Sequence, residues 1–383
     1  MMLYITDMAS VEALDGTDTS IVVLGSYTKA EHADLFRKLS VYSNYKRMSF
    51  HGSFAGMKLM QAFCFLLGNL SQLTQLAITN APDLGIEAVG QLLHAVSRSM
   101  IRNLDLSGLE LGTEGARLLC KAVNESGRIN TLRVERNNLQ RAVGAVLALD
   151  LRSIHIGDNN VHRLWWPDFF QNAGSSVSRL SVTESNISHA GFTSLSEYVL
   201  NSTMLMDLNV SGNVLQLDSL KKLCAGLIGH KTLTVLRLMG CGLKNKSTVP
   251  ICSMLGLNQS LEQLYMHNNP KVTVFGQLML VKGLQANYTL KYIEIDVLFA
   301  SDCNYLETSR VSIDKKETMT GHLCRLVCFN QDLDLKEQFW QPKIHHYYPD
   351  HVKARVDAVV NVLTGRLPHE LILHILSFWK GVV

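Results

Sequence analysis

The sequence predicts an α/β solenoid, in which a short strand, a turn and a helix follow one another in repeated units. The pattern apolar-x-x-apolar-x-apolar occurs ten times between Tyr45 and Ile295. Its central apolar residues are Met48, Leu76, Leu104, Leu132, Ile154, Leu180, Leu208, Leu236, Leu264 and Ile293. Their spacing is 22 to 29 residues and most often 28. A nearly fixed period of this length is typical of repeat proteins, whose units bury their apolar faces against their neighbours.

Each unit begins with a strand, because apolar and variable positions alternate within the six-residue pattern. In several units an asparagine follows the last apolar residue of the strand by three positions: Asn137, Asn159, Asn213 and Asn269, with Cys241 in the equivalent place. An amide there can bond backbone groups that a tight turn leaves unpaired. The sequence therefore predicts that these asparagines bond backbone groups in the turns of the repeats.

A helical segment follows the turn. Between positions 113 and 123, the apolar residues Ala116, Leu119 and Val123 recur at helical spacing. The small residues Gly115 and Ala116 allow this helix to pack close to the sheet. The order within a unit is thus strand, turn and helix.

These residues resemble the leucine-rich repeat family, specifically the long ribonuclease-inhibitor type. The resemblance is carried by the LxxLxLxxN pattern and by LGTEGARLLCKAV at positions 111 to 123, and it covers residues 45 to 300. It implies a horseshoe with a parallel sheet on the concave face and helices outside. Both ends of such an array need caps, because each repeat buries its apolar face only against its neighbours. We expect residues 1–44 to form an N-terminal cap or degenerate repeat, 45–300 to hold about ten repeats, and 301–383 to be mainly helical.

The composition is that of an ordered protein, with 47% hydrophobic and 18% charged residues. A net charge of +3 and the lack of a basic stripe with interleaved aromatic residues argue against a nucleic-acid partner. No apolar run reaches the length of a membrane span, and the N-terminal residues do not resemble an export signal. With eight scattered cysteines, we expect a cytoplasmic protein with reduced thiols and no membrane insertion.

No local catalytic or cofactor-binding motif occurs in the sequence. We therefore expect no enzyme activity, no cofactor and no metal. Two clusters keep alternatives open: Cys324 and Cys328 near His322, and the run that includes His345, His346 and His351. The cysteine cluster lacks the paired CxxC spacing of zinc sites, so packing of these side chains in the protein interior is the favoured interpretation. The second favours a surface loop over metal binding or pH sensing.

The outward strand positions change in character along the repeats. They are small or polar in the first repeats, as at Ala77 and Ser107, whereas the last repeats carry Arg237, Met239, Gln263, Tyr265, His267 and Tyr292. Arginine, tyrosine and methionine are enriched at the centres of protein interfaces. We expect the concave face of the last three repeats to bind a protein partner of unknown identity. The alternative is that these side chains only cover the sheet.

The interval from Leu132 to Ile154 is the shortest, with 22 residues, and leaves little room for an outer helix. The next unit contains Trp165, Trp166, Phe169 and Phe170. Filling of the missing helix volume is the favoured interpretation. Surplus aromatic side chains would instead form a secondary contact site, for which Trp165 and Trp166 are the candidates.

Residues 367–378, with the sequence LPHELILHILSF, predict an amphipathic helix. They resemble the opening helix of an F-box, which implies docking of a Skp1-like adaptor and a role as substrate receptor of a ubiquitin ligase. The docking residues would be Leu367, Pro368, Leu371, Ile375 and Phe378. An F-box continues for about two more helices, so a helix that only caps the solenoid is the favoured alternative. The combination of repeats and F-box-like tail also resembles effectors that intracellular bacteria deliver into the host cytoplasm.

Overall fold

The computed structural model describes residues 2–6, 19–24, 29–42, 44–52, 57–287 and 289–296. The predicted adaptor-docking residues, the cysteine and histidine clusters and the predicted helical region 301–383 lie outside these ranges. The chain divides into two compact units, Met1–Ser194 and Leu195–Val383, here called unit 1 and unit 2.

Unit 1 contains a parallel sheet in which each strand pairs with the next along the chain. Its strands are β1 (Met2–Ile5), β2 (Ser20–Leu24), β3 (Arg47–His51), β4 (Gln75–Thr79), β5 (Asn103–Asp105), β6 (Thr131–Arg133), β7 (Ser153–His155) and β8 (Arg179–Ser181). The central apolar residues of the sequence pattern pair with one another, as Met48 does with Leu76 and Leu76 with Leu104. The repeat period therefore sets the register of the sheet.

The helices of unit 1 follow the strands in sequence. They are α1 (Lys29–Leu39), α2 (Met57–Asn69), α3 (Ile86–Ser97), α4 (Gly112–Ser126), α5 (Val143–Leu147) and α6 (Trp166–Gln171), with short 3-10 turns at Pro82–Leu84 and Gln140–Ala142. The helix of the 22-residue interval, α5, has only five residues, as the short spacing predicted. Helix α7 (His189–Asn201) spans the division between the units.

Unit 2 repeats the same plan. Its strands are β9 (Asp207–Asn209), β10 (Val235–Arg237), β11 (Gln263–Tyr265) and β12 (Tyr292–Glu294), again parallel and paired in chain order. Its helices are α8 (Leu217–Ile228), α9 (Thr248–Leu257) and α10 (Val274–Ala286), with a 3-10 turn at Asn245–Ser247. The central apolar residues of its strands are at most 7% exposed. The predicted order of strand, turn and helix is confirmed.

The turn asparagines bond backbone groups, as predicted. The structure adds that they are buried and that several of them reach the neighbouring repeat. Asn137 Nδ2 donates to the Leu106 carbonyl at 2.8 Å, and its Oδ1 accepts the Leu109 N–H at 2.9 Å. Asn159 donates to the Val134 carbonyl at 2.8 Å in the same way. The Cys241 thiol lies 3.5 Å from the Val210 carbonyl and replaces one of these bonds. One amide side chain thus satisfies backbone groups of two successive coils.

A second set of polar residues lies where the helices of unit 2 return to the strands. The Leu261 N–H donates to Asn258 Oδ1 at 2.7 Å, and the Leu290 N–H donates to Asn287 Oδ1 at 2.8 Å. In the preceding repeat the acceptor is the ring atom Nδ1 of His230, which lies 3.0 Å from the Leu233 nitrogen. His230 therefore performs the task that asparagine performs in the next two repeats.

The aromatic cluster after β7 fills the core. Trp166 is fully buried, its indole N–H donates to the Ser185 carbonyl at 2.9 Å, and its ring stacks on Phe170 at 5.3 Å between centroids. Phe169 packs so closely on Gly144 of the short helix α5 that a Cβ there would lie 2.7 Å from the ring. This burial agrees with the favoured interpretation, in which the rings fill the volume of a longer helix, and it corrects the alternative that Trp166 forms a contact site. Trp165 is partly exposed and stays a candidate contact residue.

Candidate protein-binding surface

The strand face of unit 2 consists of the side chains that flank the buried central residues of β9–β12. Its three strongest candidates for recognition are Arg237, Tyr265 and Tyr292, here called the aromatic patch. They lie on the consecutive strands β10, β11 and β12. In the sheet, Arg237 pairs with Tyr265, and Tyr292 pairs with Gln263.

The side chains of the aromatic patch contact one another in a row. The guanidinium carbon of Arg237 lies 5.0 Å from the centroid of the Tyr265 ring, within the range of a cation–π contact. The Tyr265 and Tyr292 rings are tilted by 44° with centroids 5.2 Å apart. On the other side, Arg237 forms a salt bridge with Asp207 of β9. The row therefore runs across the four consecutive strands β9, β10, β11 and β12.

Hydrogen bonds fix the tyrosine hydroxyl groups along their own strands. The Tyr265 hydroxyl donates to Gln263 Oε1 at 3.0 Å, and the Tyr292 hydroxyl donates to Glu294 Oε2 at 3.3 Å. Tyr292 is nevertheless 42% exposed, and Tyr265 is half-buried. The rings are thus held in one arrangement while part of their surface stays open to solvent.

The other predicted residues lie beside the aromatic patch. His267 Nδ1 is 3.1 Å from Glu294 Oε1, which makes an ion pair when the imidazole is protonated. Met239 is half-buried two residues after Arg237, and its backbone N–H donates to Ser211 Oγ at 3.1 Å. The structure therefore brings Arg237, Gln263, Tyr265 and Tyr292 together directly, with His267 joined through Glu294.

Asp207, which contacts the aromatic patch, was not predicted as a site residue, and neither was the exposed residue Met206 before it. Asp207 holds Arg237, and the signal that could have found it is an opposite charge on the same face of the neighbouring strand. Met206, which precedes it, is 51% exposed at the start of β9. A search for apolar residues at the first variable position of each repeat would have identified it.

No family model matches the sequence. Several curated proteins are similar to it. Among them, mouse ribonuclease inhibitor is 25% identical over 222 residues, which are 55% of this chain and 49% of that protein. Mouse NACHT, LRR and PYD domains-containing protein 12 is 30% identical over 188 residues, which are 45% of this chain and 18% of that protein. The chain has the leucine-rich repeat fold. It spans at most about half the length of these relatives.

Among solved structures, this leucine-rich repeat protein is similar to a chain in the Rad7 and Elc1 complex from yeast. The TM-score is 0.47 and the identity 12%, over 73% of this chain and 68% of that chain.

The cysteines of the repeats are poorly suited to chemistry. Burial raises the pKa of Cys224 and of Cys241 to about 12, and that of Cys64 to about 11, so these thiols stay protonated at neutral pH.

Within the described ranges, no group of three or more His, Cys, Asp or Glu side chains is placed to hold a metal ion. In the same ranges, the leucine-rich repeat protein has no helix with the length and apolar character of a membrane span.

Proposed function

We propose that this leucine-rich repeat protein is a non-catalytic scaffold that binds a protein partner on the strand face of unit 2. The observation that carries the proposal is the row of contacts from Asp207 through Arg237 and Tyr265 to Tyr292. Arginine and tyrosine side chains supply most of the binding energy in many protein interfaces. The row places three such side chains next to one another.

The fixed arrangement of the aromatic patch favours binding. Ordering a flexible side chain at an interface costs about 0.5–1.5 kcal/mol, and this cost is smaller where the side chain is already held. Gln263 and Glu294 hold the two tyrosine hydroxyls, while Asp207 holds the arginine. The patch therefore presents aromatic surface at a low entropic cost.

The relatives support the class of partner. Mouse ribonuclease inhibitor is named for the inhibition of ribonuclease, which is itself a protein. A rigid repeat array is suited to this task, because its outward side chains vary without disturbing the buried positions that hold the repeats together.

Photo-crosslinking in a native lysate tests the proposal. A photoreactive phenylalanine analogue replaces Tyr292 on the strand face or, as control, Phe65, which is 73% exposed on α2. We expect a defined protein adduct from position 292 that does not form from position 65. The same adducts from both positions, or none from position 292, would contradict the proposed site.

A second candidate function rests on the sequence of residues 367–378, which lie outside the described residues. Their resemblance to an F-box helix predicts docking of a Skp1-like adaptor, and with it a substrate receptor of a ubiquitin ligase that acts, in the effector interpretation, in a host cell. Pull-down with purified Skp1 compares the full chain with one that lacks residues 367–383. Binding that is lost on truncation supports this function, and no binding to the full chain eliminates it.

A further inference from the structure

The start of the strands in unit 1 carries regularly spaced cations. The first variable position of the repeat pattern is occupied by Lys46, Arg102 and Arg152 in alternate repeats, and all three are exposed. These three residues are here called the basic rim. The repeats between them carry Thr74 and Asn130 at the same position.

Backbone hydrogen bonds fix the spacing of the basic rim. The Thr74 N–H donates to the Lys46 carbonyl at 3.0 Å, and the Arg102 N–H donates to the Thr74 carbonyl at 2.8 Å. The chain of bonds continues through Asn130 to Arg152. Adjacent strands lie about 4.8 Å apart, so successive cations are separated by two strand spacings, or about 10 Å.

Two short side chains beside the cations are bonded to the rim itself. The Thr74 hydroxyl donates to the Lys46 carbonyl at 3.2 Å, and the Ser178 hydroxyl donates to the Arg152 carbonyl at 3.0 Å. Both hydroxyls are therefore directed at the backbone. The side chains of Lys46, Arg102 and Arg152 stay exposed beside them.

The cations of the basic rim have no ion pair among the residues that the structure describes. Unit 2 differs, because Lys291 at the equivalent repeat position pairs with Glu262 at 2.9 Å. Of the nearby acids, Asp105 accepts hydrogen bonds from the N–H and hydroxyl of Ser107, and Asp150 is exposed. The rim thus keeps three positive charges available to an external anion.

We propose that the basic rim binds an extended acidic segment of a protein, with a carboxylate at every third residue. An extended chain advances about 3.3 Å per residue, so three residues cover about 10 Å, which matches the spacing of the cations. The strand face beside the rim has a depression of about 220 Å³, lined in part by the small residues Ser49 and Ala77, which gives room to the intervening side chains.

The occupant is a protein segment rather than a single-stranded nucleic acid. Nucleic-acid grooves combine positive charge with aromatic side chains on which bases stack. The residues that alternate with the cations are Thr74 and Asn130, neither of which provides a stacking surface. The rim belongs to unit 1 and the aromatic patch to unit 2, so the two surfaces consist of different residues and can be tested with different variants.

Fluorescence anisotropy with two labelled peptides tests this proposal on the full chain at low ionic strength. One peptide is a Glu-Gly-Ser triplet written three times, and the other has the same composition with its three glutamates consecutive. We expect the spaced peptide to bind about tenfold more tightly, and its affinity to fall as salt is added, because the screening length is only about 10 Å at 0.1 M salt. Equal affinities for the two peptides would overturn the proposed spacing.

Matched variants locate the binding site. The triple variant K46Q/R102Q/R152Q is expected to lose the preference for the spaced peptide. The control variant R141Q/R163Q/K231Q removes the same charge from three other exposed positions and is expected to keep that preference. An equal loss in both variants, with circular dichroism unchanged, would overturn the assignment to the rim. Tighter binding of an oligothymidylate than of the peptide, lost only in the rim variant, would overturn the assignment to a protein segment.

Discussion

The guanidinium carbon of Arg237 lies 5.0 Å from the centroid of the Tyr265 ring on the next strand. The same guanidinium is held from the opposite side by the carboxylate of Asp207. The Arg237 side chain on β10 therefore contacts a side chain on each neighbouring strand, β9 and β11. Substitution of Asp207 or of Tyr265 removes one of these two contacts at a time, so the contribution of each to partner binding can be measured.

Loss of the carboxylate at position 207 is expected to weaken partner binding less than loss of the tyrosine ring. Asp207→Asn keeps the size of the side chain but removes the charge that positions Arg237, and we expect a two- to fivefold rise in Kd. Tyr265→Ala removes contact area and should raise Kd about tenfold, because a hot-spot residue contributes more than about 1 kcal/mol. Isothermal titration calorimetry with the partner that crosslinking identifies measures the Kd of both variants.

Asp218→Asn is the matched control, because Asp218 pairs with Lys221 on the exposed surface of α8. We expect this variant to bind as the wild type does. An Asp207→Asn variant that binds unchanged as well would show that Arg237 does not need its carboxylate partner for recognition.

The buried turn asparagines are expected to stabilise the repeats strongly. Asn159→Ala leaves the Val134 and Ile156 carbonyls and the Asn137 N–H without this partner. Each buried unsatisfied group costs about 1–3 kcal/mol, so we expect a loss of about 2–4 kcal/mol after relaxation. Urea denaturation measures the change.

Asn124→Ala provides the comparison, since Asn124 is exposed on α4. Its effect should stay below about 0.5 kcal/mol, as is usual for surface substitutions. Similar effects of the two substitutions would mean that the turn amides are not important to stability.

His230 is expected to make unit 2 sensitive to acid. Burial lowers the pKa of His230, while the backbone carbonyls of Val199 and Ser202 oppose this shift. Its Nδ1 accepts the Leu233 N–H and must be unprotonated to do so. As pH falls below about 6.5, the ordinary pKa of histidine, the unfolded chain takes up the proton first and stability is lost.

His230→Asn tests this pH dependence with a residue that the neighbouring repeats already use. Asn258 and Asn287 accept the equivalent N–H groups and do not titrate. We expect the variant to fold and to lose less stability than the wild type between pH 7.5 and pH 5.5 in urea denaturation. A variant with the same pH dependence as the wild type would exclude His230 as the titrating group.

The two neighbouring tryptophans are expected to respond differently to substitution. Trp166→Phe leaves the Ser185 carbonyl without its indole donor inside the core, at a cost of about 1–3 kcal/mol. Trp165→Phe should change stability by less than about 0.5 kcal/mol, because the ring is partly exposed. Urea denaturation distinguishes them, and equal losses would contradict the different burial of the two rings.

The buried positions of the fold were predictable, because each one repeats with the same residue class. The central leucines and the turn asparagines recur at a fixed spacing and make the same contacts in successive repeats. Trp166 was harder to place, since composition shows an excess of aromatic residues but not which ring points inward. The equivalent roles of His230, Asn258 and Asn287 were not predicted. Each residue supplies a hydrogen-bond acceptor to a backbone N–H, but the three are not of one residue type.

The candidate site was predictable in position but not in detail. Alternation along the strands placed Arg237, Tyr265 and Tyr292 on one face, and the structure has them there. The salt bridge to Asp207 depends on side-chain conformations across two strands, which a one-dimensional pattern does not contain. The adaptor-docking residues 367–378 lie outside the described residues and stay a prediction.

The affinity of the double variant R237A/Y265A for the partner that crosslinking identifies tests the central claim most directly. Together with both single variants, it gives the coupling energy of the pair as well as its total contribution. We predict at least a tenfold rise in Kd for the double variant, with circular dichroism and urea midpoint unchanged. An unchanged Kd in the folded double variant would contradict the claim that the strand face of unit 2 binds the partner.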